Sequence, residues 1–353
     1  MKGLILSGGY GTRLRPLTYS LQKQLIPVAN KPILFYAIED LIEAGIEEIG
    51  VIVGPNKELV IETVKSRNWD AKIEFIYQDQ PKGLSHTILV AENFLGNHSF
   101  AMYLGDNILS EGIVEHLADF VRSDCEASIL LTEVSNPREF GLAKLNEKGE
   151  IEQLVEKPKD PPSNLAIVGI YFFKPTIFKA AKEIKPSWRN QLEITDAIQW
   201  LIEHKYKVKS SMVRGWWKDT GKPEDILHAN RLVLDEIKGT NVSNAQKNIK
   251  LVGRVDVGDG TIIDLDSVIK GPVLIGNNCI IKNAYIGPYT SIGNDCKIIG
   301  MEIEDSVVMD GTTINGSSKI VNSLIGKDVR ISKNNCLPKG YRLVIGDNSE
   351  VEL

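Results

Sequence analysis

A chain of 353 residues, 42% apolar and 25% charged, has room for two domains that each bury a core. Its 41 basic against 46 acidic residues give a net charge of −5, which excludes a general attraction to nucleic acid and makes any local cluster of cations a feature to explain. Four widely spaced cysteines (Cys125, Cys279, Cys296, Cys336) form no C-x-x-C pair, so neither a disulfide framework nor a zinc site is expected and a reducing cytoplasm fits; no apolar run reaches membrane-spanning length, and the opening segment is too short and too lightly charged for a secretory signal.

The first predicted strand, "KGLILS", runs into "GGYGTRLRPLT" and then "LQKQLIP". Three glycines let backbone N–H groups approach an anion, and Arg13, Arg15 and Lys23 supply charge that a bare turn does not need. Next, "KPILFYAIEDLIEAG" reads as an amphipathic helix with Asn30 as N-cap, Pro32 in the first turn and Gly45 as its stop. The strand-length runs "EEIGVIVG", "KIEFIYQ", "FAMYLGD" and "ASILLTEV" then alternate with helical stretches up to about Asp235. Such alternation predicts an α/β domain, Rossmann-like, with a mostly parallel sheet whose ligands sit at the carboxyl ends of its strands. The glycine loop, "QPKG" (Gln80 to Gly83) and "GDN" (Gly105 to Asn107) all fall at such ends.

Residues 1–235 are therefore one expected domain and the polar segment 236–250 a linker. From residue 251 to 353 the texture is different. Aliphatic residues recur every five or six positions, at Ile269, Ile275, Ile281, Ile286, Ile292, Ile298, Ile303, Val308, Ile314, Ile320, Ile325 and Ile331, often followed by Gly or Asn. One aliphatic per short step predicts a hexapeptide-repeat β-helix, each aliphatic pointing into a narrow prism. The closing stretch from Cys336 breaks the period and is expected to cap the coil.

The opening loop is neither of two common phosphate motifs. Gly9-Tyr10-Gly11 lacks the third glycine of a dinucleotide fingerprint, and no G-K-[ST] follows as in a P-loop. Taken in order, however, "LSGGYGTRLRPLT…KQLIPVANKP", "LGDN", "EFGLAKL", "LVEKP", "VGIYFF", "LEITDAI" and "WWKDTGKPED" resemble the sugar-1-phosphate nucleotidyltransferases, most closely the long-form glucose-1-phosphate thymidylyltransferases that carry a C-terminal left-handed β-helix. The resemblance spans nearly the whole chain. It implies joining of dTTP to glucose 1-phosphate with release of pyrophosphate and Mg²⁺ as cofactor. A sugar phosphate with a second pKa near ~6 is largely dianionic at neutral pH and needs no protein base, which agrees with the lack of an evident Ser–His–Asp or Cys–His set.

The same resemblance implies the roles of individual residues. Asp106 and Asp219 match aspartates that hold the metal, Arg13 an arginine over the triphosphate, and Lys23 a lysine near the reacting phosphates. Leu6, Gly8, Gly9, Gly11, Thr12 and Gln24 match nucleotide contacts, and Gln80 and Gly83 the pair that reads the pyrimidine edge. Lys157 matches the lysine on the sugar phosphate, Glu156 the acid on sugar hydroxyls, and Asn107, Gly141, Tyr171 and Thr195 further sugar contacts. Arg15 and Gln22 depart from the usual residues there. Trp216 and Trp217 read equally as core aromatics, Trp217 alternatively as a sugar neighbour. His86, His98, His116, His204 and His228 show no ligand spacing and read as surface or helix-face residues.

Three alternatives are expected to fail or to be minor. A second, acyl-transfer activity in the β-helix would call for a histidine base, and no His follows His228. A non-catalytic regulatory subunit of the same fold would be expected to lose Arg13, Lys23, Asp106, Lys157 and Asp219, all of which are present. UTP differs from dTTP by one methyl in the base, worth roughly 1–3 kcal/mol, so some UTP use is expected. The β-helix is expected to drive homo-oligomer formation, a trimer in preference to a dimer or tetramer.

Overall fold

The computed structural model describes residues 1–55, 57–239, 241–242, 249–333 and 345–352. Part of the expected linker and most of the expected cap lie outside the described residues. Two compact units form: Met1–Tyr10, Gln22–Leu25 and Ile33–Asp219 make the first, and Gly11–Leu21, Ile26–Pro32 and Thr220–Leu353 the second. In chain order the elements are β1 (Lys2–Ser7), β2 (Pro27–Val28), β3 (Lys31–Pro32), α1 (Ile33–Glu43), β4 (Glu48–Val53), α2 (Lys57–Lys65), β5 (Lys72–Tyr77), α3 (Leu84–Val90), α4 (Glu92–Leu95), β6 (Phe100–Leu104) and β7 (Asn107–Leu109). They continue as α5 (Val114–Arg122), β8 (Ala127–Glu133), β9 (Gly141–Leu145), β10 (Ile151–Glu156), β11 (Leu165–Phe173), α6 (Ile177–Glu183), α7 (Ile194–Glu203), β12 (Val208–Met212), β13 (Trp217–Asp219) and α8 (Pro223–Asp235).

The first unit is built on one sheet, ordered β10-β9-β11-β6-β1-β4-β5, with β8 pairing β11 and β12. Strands β6, β1, β4 and β5 are parallel, linked by helical crossovers, and the runs of β1, β4 and β6 are buried nearly throughout, as strands covered on both faces must be. The Rossmann-like half thus matches expectation, and the sheet is completed by β11, which runs antiparallel to β6, β8 and β9. Leu4, Phe100, Met102, Ile129 and Phe173 pack with Ile177 of α6 and Ile198 and Leu201 of α7 in a single core. Each such side chain contributes about 1.5–3 kcal/mol on burial. The carboxyl ends of the parallel strands present Ser7–Gly9, Gln78 and Gly105–Asp106 on one side of the sheet.

Helix α1 starts later than its sequence signals predict. Asn30 is not its N-cap: β2 and β3 pair antiparallel, and Ala29 and Asn30 form the two-residue turn between them with φ of 47° and 58°. Asn tolerates the left-handed region well, and a hairpin turn uses that tolerance. The helix begins at Ile33, just past Pro32, and Gly45 follows its end at φ 78° as expected.

In the second unit the repeat becomes three parallel sheets of five or six short strands, the stacked-coil architecture consistent with a left-handed β-helix. Leu251, Ile269, Ile286, Ile303 and Ile320 stack in one sheet. Val257, Ile275, Ile292, Val308 and Ile325 stack in a second, and Ile263, Ile281, Ile298, Ile314 and Ile331 in the third. Polar residues at the corners explain why Gly and Asn follow the aliphatics. Asn277 Oδ1 accepts from Asp259 N, Asn294 Oδ1 from Asn277 N and Asp310 Oδ1 from Asn294 N, each at 2.8 Å, so one ladder ties coil to coil. Cys279 and Cys296 are buried and free, their thiols donating to the Gly293 and Met309 carbonyls as the Thr261 and Thr312 hydroxyls do to Gly276 and Gly326. Helix α8 packs on this coil through Asn230, a buried amide with three hydrogen bonds: Oδ1 accepts from Ala29 N and Ser291 Oγ at 2.9 Å, and Nδ2 donates to Tyr289 O at 3.0 Å.

Candidate active site

The metal candidates converge because of strand register. Asp106 follows β6, and β7 pairs antiparallel with β13 so that Asp219 lies opposite Asn107. Lys23, in a tight 3-10 turn (Lys23–Leu25), is buried and donates to Asp106 Oδ2; its ammonium is also 3.9 Å from Asp219 Oδ1. Burial would raise the Asp106 pKa, but the Lys23 cation and hydrogen bonds from Lys23 and Asn107 outweigh it and hold the carboxyl below its ordinary range. The carboxylate is also oriented: Trp217 Nε1 donates to Asn107 Oδ1 at 2.7 Å, and Asn107 Nδ2 donates to Asp106 Oδ1 at 2.8 Å. Trp217 is thus part of the polar network, with Phe140 against its edge at 5.5 Å.

A second cluster forms where β9 and β10 meet α7. Glu156 lies opposite Gly141 in register, and a β-carbon on Gly141 would stand 2.9 Å from both Glu156 Oε2 and Thr195 Cγ2. Thr195 Oγ1 is 3.5 Å from Glu156 Oε2, and Lys157 Nζ is 4.0 Å from Glu156 Oε1. Lys157 adopts φ 42°, a left-handed conformation costly for a side chain and concentrated at functional sites. Burial, and then the charge of Glu193, push the Glu156 pKa up against the pull of Lys157 and Arg189. Tyr171, buried on β11, has its hydroxyl pKa raised by burial and then by the charges of Glu156 and Asp106.

At the strand ends, Leu6 is buried and its carbonyl accepts from Gly105 N. Gly8 packs against Gly54 and Gln78, whereas Gly9 is open, with nothing within 4 Å of where a β-carbon would be. Among the described residues, the buried Ser7 Oγ and Gln24 Oε1 find no hydrogen-bond partner. Gly83 has a structural reason to be glycine: φ is 107° and a β-carbon would overlap the Leu192 backbone. Gln80 is exposed. Gly11, Thr12 and Arg13 belong to the second unit, where Gly11 opens a 3-10 turn (Thr12–Leu14) and a β-carbon on Gly221 would stand 2.9 Å from Arg13 Nη2.

Sequence reasoning missed three residues here. Arg189 Nη1 lies 3.2 Å from Glu156 Oε1 and 3.4 Å from Glu193 Oε1. Its "SWRNQLEIT" context held a cation beside a quoted motif, which was the available signal. Gln78 is buried at the end of β5 and meets His86, which had read as an ordinary helix-face histidine; Gln78 Nε2 and His86 Nδ1 are 2.9 Å apart.

Comparison with known proteins agrees with this geometry. The nucleotidyl transferase family matches residues 2–236, and the GMPPB C-terminal domain matches residues 269–352. The chain is 47% identical to the low-salt glycan biosynthesis nucleotidyltransferase Agl11 of Haloferax volcanii, over the whole of both chains. It is 42% identical to a glucose-1-phosphate thymidylyltransferase of Streptomyces griseus, over all of this chain and 99% of that one. A crystal structure from Bacillus anthracis, described as a glucose-1-phosphate thymidylyltransferase in complex with a sucrose, superposes with a TM-score of 0.62 at 34% identity, covering 68% of this chain and 98% of that one. With the match spanning residues 2–236 and full-length relatives at these identities, the chain is an enzyme of the nucleotidyl transferase family.

Proposed function

We propose that the enzyme transfers the thymidylyl group of dTTP to glucose 1-phosphate, forming dTDP-glucose and pyrophosphate. The observation that carries this reading is the pair of clusters in one unit, Lys23 with Asp106 and Asp219 for phosphate chemistry and Glu156, Lys157 and Thr195 for a sugar phosphate. Two curated relatives named glucose-1-phosphate thymidylyltransferase, from Streptomyces griseus and Streptomyces antibioticus, align with all of this chain and support dTTP and glucose. UTP is the second nucleotide to test, because one methyl allows preference rather than exclusion.

The donor set fits Mg²⁺. Asp106 and Asp219 offer hard carboxylate oxygens around one cationic point, and among the described residues no group of three or more His, Cys, Asp or Glu could hold a metal by itself. Mg²⁺ usually takes one or two carboxylates and completes its octahedron with phosphate oxygens and water. When bound, the ion would neutralise charge developing on the triphosphate. Asn107 and Trp217 hold the Asp106 carboxylate in one orientation, and Lys23 carries positive charge beside the reacting phosphates. Lys157 and Arg189 bring positive charge to the Glu156 cluster, where they would bind the sugar phosphate whose own oxygen attacks the α-phosphate in line. No side chain need take a proton from that dianion. Ser7 Oγ and Gln24 Oε1, which have no hydrogen-bond partner among the described residues, and the Gln78 amide beside Gly8 are the polar groups offered to the nucleoside.

Pyrophosphate release with dTTP, glucose 1-phosphate and Mg²⁺ tests the activity, and its absence with any sugar 1-phosphate would remove the reading. The β-helix we assign to assembly, as a homo-oligomer with a trimer favoured. Light scattering on the full chain tests this, and a monomer would rule it out.

A further inference from the structure

The carboxamide of Gln78 has its two ends committed differently. Its nitrogen lies 2.9 Å from Nδ1 of His86 in α3. Its oxygen faces the glycine loop, 3.3 Å from where a β-carbon on Gly8 would be, and accepts no hydrogen bond among the described residues. An amide nitrogen only donates, so Nδ1 accepts and the imidazole carries its proton on Nε2. Burial, reinforced by the Lys82 cation in the turn before α3, lowers the His86 pKa, so the ring is neutral at neutral pH and Nδ1 is free to accept. Among the described residues Lys82 is the charged group whose field bears on His86.

A carboxamide has two orientations of almost equal shape that exchange oxygen and nitrogen. Opposite a lone pair on Nδ1 the nitrogen is favoured, and the flipped orientation would set two acceptors against each other. A pyrimidine-2,4-dione shows an N3–H donor beside a carbonyl acceptor. Cytosine shows the reverse, an N3 acceptor beside an amino donor. An amide free to turn suits both edges, whereas a held one suits only one.

We propose that His86 is a specificity-determining positioning residue: by accepting from the Gln78 amide it fixes the orientation in which the free oxygen and second N–H of Gln78 select a pyrimidine-2,4-dione triphosphate over a cytosine triphosphate. This rests on the reading of Gln78 as a group facing the base.

The test is the ratio of kcat/KM for dTTP to that for dCTP, measured by pyrophosphate release with saturating glucose 1-phosphate. His86→Phe, which removes the acceptor, lowers the ratio at least about tenfold with KM for glucose 1-phosphate unchanged; His86→Asp, an acceptor only, retains it. In the wild type the ratio also falls as pH is lowered below the ordinary imidazole value of about 6.5, because a protonated imidazole donates at Nδ1 and turns the amide, while His86→Asp shows no such fall at the onset. The pH arm holds even if the Phe variant fails to fold. A ratio that stays within about twofold of wild type in His86→Phe, or that does not change when His86 protonates as followed by its own NMR titration, overturns the lock. A wild type that turns over neither dTTP nor UTP overturns the reading of the site instead.

Discussion

Lys23 donates a hydrogen bond to Asp106, from a 3-10 turn after the glycine loop to the end of a central parallel strand. Neither residue belongs to an element that would place it alone; the contact exists because β1 and β6 are neighbours in the sheet. Replacing Asp106 with Asn keeps the shape and removes the charge that compensates Lys23 and would hold Mg²⁺. We expect kcat to fall by about 10²–10³ or more, and the folded state to lose some stability at neutral pH because Lys23 is left buried beside an uncharged amide. Lys157→Ala should instead raise KM for the sugar phosphate about tenfold or more while KM for the nucleotide changes little. Steady-state kinetics on both substrates check the pair. Equal effects of both variants on both KM values would contradict the separate assignments.

Acid should unfold the protein partly through Asp106. Its pKa is lower in the folded than in the unfolded chain, so the stability it contributes is present above the unfolded carboxylate value near ~3.9 and is lost as pH falls through the folded one. Glu156 has the opposite sign. Its folded pKa is raised, so the folded state keeps a proton that the unfolded chain has released, and stability falls as pH rises from about 4.3 through the folded value. Glu156→Gln should therefore raise the melting temperature at neutral pH, leave it unchanged at low pH, and weaken sugar-phosphate binding. Thermal unfolding of both proteins against pH checks this, and a variant no more stable than wild type at neutral pH would contradict it.

Much of this was legible in the sequence. The aliphatic column from Ile269 to Ile325 declared the coil, because one inward residue per short strand leaves no other periodicity. Apolar runs ending at Gly8 and Gly105 likewise declared parallel strands. Asn30 was misplaced because a cap and a hairpin turn draw on the same property of Asn. Helix α8 and the two loop segments 11–21 and 26–32 joined the second unit through contacts distant in sequence, such as Asn230 with Tyr289, that no local pattern announces. The left-handed backbone of Lys157 and the pairing of Gln78 with His86 were invisible for the same reason.

Asn230→Ala should be costly although it is remote from the chemistry. It would leave Ala29 N–H, Tyr289 C=O and the Ser291 hydroxyl without their partner in a buried setting, costing about 2–5 kcal/mol. Arg231→Ala, which breaks a half-exposed pair with Asp305, should cost at most about 1 kcal/mol. Denaturant unfolding ranks the two, and the reverse order would show that α8 is not held by its buried amide.

Nucleotide-sugar formation with purified full-length protein and Mg²⁺, across dTTP, UTP and several sugar 1-phosphates, bears most directly on the proposed reaction. The predicted result is pyrophosphate released in step with dTDP-glucose, with kcat/KM for dTTP above that for UTP by roughly 10–200-fold and no turnover once the metal is chelated. Metal-independent turnover, or no product with any sugar 1-phosphate, would contradict it.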